Sequence, residues 1–154
     1  AYEIKECDWS SDVCSSDLQA AVLCIKLRKL DEYIEARRSA AGRYDEAFGS
    51  IDRVQIPFRA PYTNHVFHQY TLILDGPDRD GIQQYLSEKG IPSMIYYPVP
   101  AHRQKMFSFF GGDLFKLPVT DWLTERVISL PIHTELDDEQ IEYITHHVSR
   151  YLNR

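Results

Sequence analysis

Cysteine is scarce in this 154-residue sequence, and long apolar runs are absent from it. The three cysteines, Cys7, Cys14 and Cys24, show no CxxC spacing and have no nearby histidine, which argues against a zinc site and a disulfide framework. No apolar run approaches the roughly 20 residues that span a bilayer, and no charged-then-apolar signal segment opens the sequence. We therefore expect a cytoplasmic protein with unpaired thiols and no membrane partner.

An excess of basic residues is also missing, since the chain has 17 basic and 23 acidic residues and a net charge of -6. A nucleic-acid surface needs clustered Lys and Arg to neutralise phosphates, and here the basic residues form only short groups on helix faces. The histidines lack metal-ligand spacing, because His65 is one residue off the face of His68, and His146 and His147 point apart on one helix. We expect neither nucleic acid nor a metal ion as a partner.

The hydrophobic content of 44% and the mixed charge are typical of one folded domain. Apolar periodicity predicts one long amphipathic helix from Gln19 to about Phe48. Four short segments have the composition or the turn-bounded length of strands, namely Val54–Ile56, Val66–Leu74, Ser93–Tyr97 and Ile128–Ile132. With further helices between the strands, these elements predict an α+β fold in which helices cover one face of a short sheet.

Local signals place the remaining helices. Asp78 can cap a helix that runs to Lys89, and His102–Phe110 predicts a short helix. Val119–Val127 predicts another helix, whose inward side chains are Trp122, Leu123 and Val127.

The last helix has a complete start signal. Asp137 can cap it, Gln140 occupies the capping-box position, and Leu136 and Ile141 are spaced as a hydrophobic staple. We expect this helix to run to about Leu152.

Residues 1–18 differ from the rest of the chain. Glu3–Trp9 is a candidate remnant of a preceding domain, but seven residues are too few to assign. Ser10–Leu18 reads SSDVCSSDL, and its apolar residues follow neither the period of a helix nor that of a strand. Its DVCSSDL portion resembles the translation of a common sequencing adapter. We predict that residues 10–18 are foreign and that the domain comprises residues 19–154. The alternative is a natural Ser-rich linker whose Asp or Ser caps the following helix.

The stretch from Lys89 to Gln104 has the features of one wall of a ligand pocket. Gly90 and Pro92 end the preceding helix and force extended backbone. Pro98 and Pro100 then hold a polyproline-like exit that cannot donate ladder hydrogen bonds. This stiff backbone carries four aromatic or polar side chains: Tyr96, Tyr97, His102 and Gln104.

Four ordered blocks carry a family resemblance. They read LQAAVLCIKLRKLDEYIEARRSAAGRYDEAF, HVFHQY, GIPSMIYYPVPAHRQKMF and ISLPIHTELDDEQIEYI. Together they resemble the small C-terminal domain of the DegT/DnrJ/EryC1/StrS sugar aminotransferases, from Leu18 to the end of the chain. The resemblance implies a type I aminotransferase fold that uses pyridoxal 5'-phosphate (PLP). It also implies that the complete enzyme is a homodimer that transfers an amino group, usually from glutamate, to a nucleotide-linked keto-sugar.

The resemblance also implies which residues lie near the sugar-nucleotide, and these are His68, Tyr96, Tyr97, His102 and Gln104. We expect them to bind and orient the sugar, because histidine and tyrosine offer an apolar ring and a hydrogen-bonding tip. His68 is equally well explained as a strand histidine bonded to a neighbour. At most one of the two tyrosines should meet ligand if they alternate along a strand. For the other two residues, the alternative is helix capping and solvent exposure.

The departures from the family are equally informative. The large domain that supplies the Schiff-base lysine is missing, and none of the six lysines lies in the family's serine-and-lysine loop. Ser10–Leu18 occupies the place of a loop that reaches the partner subunit's cofactor phosphate. The resemblance therefore implies an inactive fragment without catalytic or cofactor-binding residues of its own. The alternative function is a free-standing, non-catalytic α+β module that binds a ligand or a protein partner.

Overall fold

The computed structural model describes residues 15–76, 78–111 and 114–153, apart from the side chain of Ser15. They belong to two compact units, Ala1–Tyr33 and Ile34–Arg154, and the second contains the sheet and the hydrophobic core. Cys24 is a free, exposed thiol. Residues 1–14 lie outside the described residues, so the states that we predict for Cys7 and Cys14 stay predictions, as does the foreign origin that we predict for residues 10–18.

The predicted long helix is two helices. Helix α1 spans Ser15–Leu27, and α2 spans Leu30–Phe48. Between them, the backbone N–H groups of Arg28 and Lys29 donate to carbonyl groups only three residues back, at 3.3 and 3.0 Å. An α-helix needs a spacing of four residues, so this tighter turn interrupts the helix at a point that apolar periodicity does not reveal.

Three antiparallel strands form a sheet in the order β1, β2, β3. They are β1 (Val54–Gln55), β2 (Tyr70–Leu74) and β3 (Val127–Leu130). In the register, Leu74 of β2 pairs with Val54, and Tyr70 pairs with Leu130. Alternate residues of β2 are buried, so one face of the sheet contributes to the core.

One of the predicted strands is shorter than expected, and another is absent. Val66–Leu74 becomes a strand only at Tyr70, because Phe67 has a left-handed φ of +47° that breaks the extended conformation. Ser93–Tyr97 is not a strand, since only Met94 forms an isolated bridge, with Ser129 of β3. Prolines flank this segment and cannot donate ladder hydrogen bonds, which limits pairing to a single bridge.

Both predicted helix caps are confirmed. Helix α3 spans Arg79–Glu88, and the Asp78 carboxylate accepts from the backbone N–H of Asp80 at 3.1 Å. The last helix spans Asp138–Leu152 and begins with the full capping box between Asp137 and Gln140. We label it α5.

Two other helical predictions need correction. Helix α4 spans only Pro118–Thr124, Val127 already belongs to β3, and Trp122 is exposed rather than inward. The predicted helix at His102–Phe110 consists of two 3₁₀ helices, Ala101–Arg103 and Lys105–Phe110.

One hydrophobic core joins the sheet to α2, α3 and α5. Its largest fully buried side chains are Tyr44, Tyr70, Phe48, Phe67, Leu72, Leu74, Ile82, Leu86, Ile128 and Val148. The Tyr44 hydroxyl donates to the Pro131 carbonyl at 2.8 Å, and burial raises the pKa of this hydroxyl. The architecture confirms the predicted α+β class, and among the described residues no helix is long and apolar enough to cross a membrane.

Candidate functional site

The predicted pocket wall begins where α3 ends. Gly90 has a φ of +71°, and its N–H donates to the Ser87 carbonyl while the N–H of Ile91 donates to the Leu86 carbonyl. This pair of hydrogen bonds is a Schellman motif, and the side chain of Ile91 is buried in the core. Three residues later, Met94 and Ser129 exchange two backbone hydrogen bonds of 2.9 Å. The wall is therefore anchored at two points before its tyrosines.

Tyr96 and Tyr97 extend from this anchored backbone into solvent. Their side chains are 50% and 76% exposed. The expectation that one of them faces away from a ligand assumed a strand, and these residues form no strand. Both rings are therefore accessible from outside the chain.

His102 and Gln104 lie on the first 3₁₀ turn and just after it. The His102 side chain is only 9% exposed, and its Nε2 lies 3.5 Å from Oδ1 of Asp121 on α4. Arg103 donates to the other oxygen of the same carboxylate at 2.6 Å. The Gln104 backbone is extended, and its side chain makes no capping hydrogen bond. Solvent exposure is therefore the wrong explanation for His102, and side-chain capping is the wrong one for Gln104.

His68 lies on a loop before β2, not on a strand. The Arg37 guanidinium donates to the carbonyl groups of Phe67 and His68, both at 3.2 Å. The N–H of Phe67 donates to Nδ1 of His65 at 2.9 Å, and the Arg59 guanidinium lies 4.7 Å from the centre of the Phe67 ring. These contacts fix the backbone of a loop whose His68 side chain is exposed.

A network behind this loop holds it to α2. Asp45 accepts from the Tyr70 hydroxyl at 2.8 Å and from Nε of Arg59 at 2.7 Å. Burial, followed by the hydrogen bond to Asp45, raises the pKa of the Tyr70 hydroxyl. This hydroxyl therefore stays protonated and acts as a donor at neutral pH.

Sequence reasoning missed Arg37, Asp45, Arg59 and Asp121. Their partners lie between 14 and 31 residues away in the chain. No local motif marks such pairs, because they depend on how the elements pack and not on spacing within one element.

The five predicted site residues lie outside the lining of three clefts in the described part of the chain. These clefts, of about 410, 350 and 590 Å³, are lined by other residues of α2, α3, α5 and the loops beside them. The structure brings His102 and Gln104 together on one turn, a few residues after the two tyrosines. Of the five side chains, those of Tyr96, Tyr97 and His68 are exposed, whereas that of His102 is buried against Asp121.

None of the described lysines is enclosed by the surrounding residues of this chain. All five of them, Lys26, Lys29, Lys89, Lys105 and Lys116, are exposed, and Lys5 lies outside the described residues. A hydrogen bond to Glu32 raises the pKa of Lys29, which is opposite to the shift that makes a lysine nucleophilic. Nor does any group of three or more His, Cys, Asp or Glu in the described part of the chain have the geometry to hold a metal ion.

Comparison with known proteins agrees with the resemblance seen in the sequence. A UDP-N-acetyl-3-dehydro-alpha-D-glucosamine 3-aminotransferase from Acidithiobacillus ferrooxidans is 40% identical over 137 residues, which cover 89% of this chain and 36% of the relative. A pleiotropic regulatory protein from Geobacillus stearothermophilus is 37% identical over 139 residues, with coverage of 88% and 36%. The crystal structure of S. venezuelae DesV in complex with a ketimine intermediate superposes with a TM-score of 0.83 at 29% identity, over 90% of this chain and 37% of that one.

The chain thus spans slightly more than a third of the length of the proteins that it matches. The sequence profile of the DegT/DnrJ/EryC1/StrS aminotransferase family matches residues 13–149. This match extends over most of the chain, from α1 to α5, and the chain belongs to the DegT/DnrJ/EryC1/StrS aminotransferase family.

Proposed function

We propose that this chain is the small C-terminal domain of a PLP-dependent aminotransferase that acts on a nucleotide-linked keto-sugar. The single observation that carries the proposal is the family match over residues 13–149. The activity in the name of the Acidithiobacillus relative, transfer of an amino group to a UDP-linked keto-sugar, supports the substrate class. The ketimine in the DesV structure supports PLP as the cofactor of the complete enzyme. Glutamate is the proposed amino donor.

In this proposal the chain contributes one wall of the substrate pocket and no catalytic lysine. The anchored backbone from Gly90 to Met94 supports this role, because it holds Tyr96 and Tyr97 in a fixed place while their rings stay accessible. A tyrosine ring can lie against a sugar face while its hydroxyl donates to a sugar oxygen. The exposure of every described lysine supports a Schiff base formed elsewhere in the complete enzyme.

The surface of this domain supports a longer protein. Phe109, Phe110 and Leu114 are 90%, 74% and 85% exposed, which is unusual for large apolar side chains so close in sequence. We propose that the remainder of the enzyme, or the second subunit of a homodimer, covers them and closes the pocket.

The experiment compares the chain with the longer gene product that contains it. With PLP and glutamate, the longer protein should aminate a UDP- or dTDP-linked keto-sugar, and the isolated chain should not. The isolated chain mixed with PLP should also show no stoichiometric imine absorbance. A borohydride-reducible adduct at one lysine of the isolated chain would contradict the missing-lysine proposal, and a longer protein without transaminase activity would contradict the function itself.

A substitution in the longer enzyme tests whether the proposed pocket wall contacts the nucleotide-sugar. Tyr97→Phe removes one hydroxyl from the proposed sugar contact, so KM for the nucleotide-sugar should rise about 5- to 10-fold while kcat changes little, as expected for one lost hydrogen bond in uniform binding. Tyr62→Phe is the matched control, because Tyr62 is similarly exposed, at 84%, and lies in another loop. If both substitutions had an equal effect, or if Tyr97→Phe had none, Tyr97 would not be a contact of the nucleotide-sugar.

A further inference from the structure

A buried histidine and a carboxylate face each other behind the pocket wall. Nε2 of His102 and Oδ1 of Asp121 are 3.5 Å apart, and the His102 side chain is more than nine-tenths buried. Both atoms are enclosed, and neither makes another hydrogen bond within the described part of the chain. Enclosed polar atoms are rarely left unpaired, so each is the natural partner of the other. The distance is within ion-pair range, and a shift of a few tenths of an ångström makes it an ordinary hydrogen bond.

The chemistry of the two groups decides which one donates. An ionised carboxylate can only accept, so an attractive contact requires the hydrogen of the imidazole to be on Nε2. In the neutral ring the other nitrogen, Nδ1, is then an acceptor. A carboxylate that accepts from Nε2 keeps the hydrogen on that nitrogen. The opposite nitrogen, Nδ1, then has no hydrogen and can accept a hydrogen bond.

Asp121 holds this turn with both of its oxygens. Arg103 occupies Oδ2 at 2.6 Å, while Oδ1 faces His102. Asp121 belongs to the first turns of α4, a regular helix, whereas the two residues that it contacts belong to a short 3₁₀ turn between prolines and Gln104. The Asp121 contacts thus add to the turn's own backbone hydrogen bonds, which run from Arg103 to the Pro100 carbonyl at 2.9 Å and from Gln104 to the Ala101 carbonyl at 3.2 Å.

We propose that Asp121 is a positioning residue, which accepts a hydrogen bond from Nε2 of His102 and so makes Nδ1 the ring nitrogen that accepts from a hydroxyl of the ligand. This inference rests on the proposed function for the identity of that ligand, a nucleotide-linked sugar. The arrangement of Asp121 and His102 can be tested without the ligand. The failure of one proposal is therefore distinguishable from the failure of the other.

The test is nuclear magnetic resonance of the ¹⁵N-labelled 154-residue chain. Long-range ¹H–¹⁵N spectra report which ring nitrogen is protonated, and His102→Gln assigns the signals. In the parent chain at a pH where the ring is neutral, Nε2 should be protonated, with an Hε2 resonance protected from exchange. Asp121→Leu fills the same space without an acceptor and should lose this resonance, whereas Asp121→Asn keeps an acceptor oxygen and should retain it. Arg103→Gln leaves Oδ1 in place and should also retain it.

Two results would overturn the proposal. One is a parent chain whose neutral His102 is protonated on Nδ1, a result that needs no variant to fold. The other is an unchanged Hε2 resonance in Asp121→Leu, which would mean that Asp121 only fills space. A dispersed backbone spectrum for each variant separates a local change from unfolding.

Discussion

Phe67 is a buried aromatic residue in a left-handed backbone conformation, which is uncommon for a side chain of this size. The conformation turns its ring into the core while the next residue, His68, remains exposed. Strain of this kind persists only where surrounding contacts enforce it. Here the enforcing contact comes from Arg37, whose guanidinium binds two successive carbonyl groups of the loop.

Arg37→Gln should therefore destabilise the fold measurably. The substitution removes charge-assisted hydrogen bonds to the Phe67 and His68 carbonyls, and we expect a loss of about 1–3 kcal/mol in the free energy of unfolding by urea. Arg38→Gln is the matched control, since among the described residues Arg38 makes only an exposed ion pair with Glu35 at 3.4 Å, and its loss should cost less than about 0.5 kcal/mol. Equal midpoints for the two variants would show that the loop does not need Arg37.

At this scale the sequence predicted residues with a local signal and missed those without one. The caps Asp78 and Asp137 were predictable, because a cap bonds to backbone two or three residues away. The contact between His102 and Asp121 was not, because Asp121 belongs to a separate helix 19 residues further along the chain. The roles of the five proposed substrate contacts in ligand binding stay predictions.

Helix ends show how far local chemistry determines an element. The end of α3 follows from Gly90, whose φ of +71° is open to glycine and costly for other residues. By contrast, the break between α1 and α2 falls at Arg28 and Lys29, which are good helix formers. The missing strand at Ser93–Tyr97 has a local cause instead, since the flanking Pro92 and Pro98 cannot donate ladder hydrogen bonds and only the Met94 bridge forms.

Two glycine substitutions should have opposite signs. At both Gly90 and Gly42 an added Cβ would meet no atom within 4 Å, so the two positions differ in backbone conformation and not in space. Gly90→Ala should lower the free energy of unfolding by about 1–2 kcal/mol, because alanine disfavours a left-handed φ. Gly42→Ala lies inside α2 and should raise it by about 0.5–1 kcal/mol.

Thermal or urea unfolding of the two variants gives the comparison. Parallel far-ultraviolet circular dichroism checks that α2 and α3 are retained. If Gly90→Ala were neutral, the Schellman motif at the start of the pocket wall would be dispensable, and the fixed placement of Tyr96 and Tyr97 would lose its support.

The whole molecule exposes more large apolar side chains than a free-standing domain usually does. On α1 these are Leu18, Val22, Leu23, Ile25 and Leu27, all more than half exposed. A second group, in residues 106–119, includes Phe109 and Leu114. The family match over slightly more than a third of the relatives' length offers one reason, namely that in a longer protein such surfaces would be covered.

The isolated chain should therefore self-associate, and α1 allows a direct test. Leu23 and Leu27 are four residues apart and so lie on one side of the helix, at 63% and 68% exposure. Replacing both with lysine removes apolar area at the cost of two added charges, so sedimentation velocity should show a shift from concentration-dependent association towards monomer. The double variant Ser16→Lys, Gln19→Lys adds the same charge to α1 without removing apolar area, and it should associate as the parent chain does. A parent chain that sediments as a monomer at every concentration would contradict this prediction. Equal shifts in both variants would mean that the charge added to α1, not the lost apolar contact, governs the association.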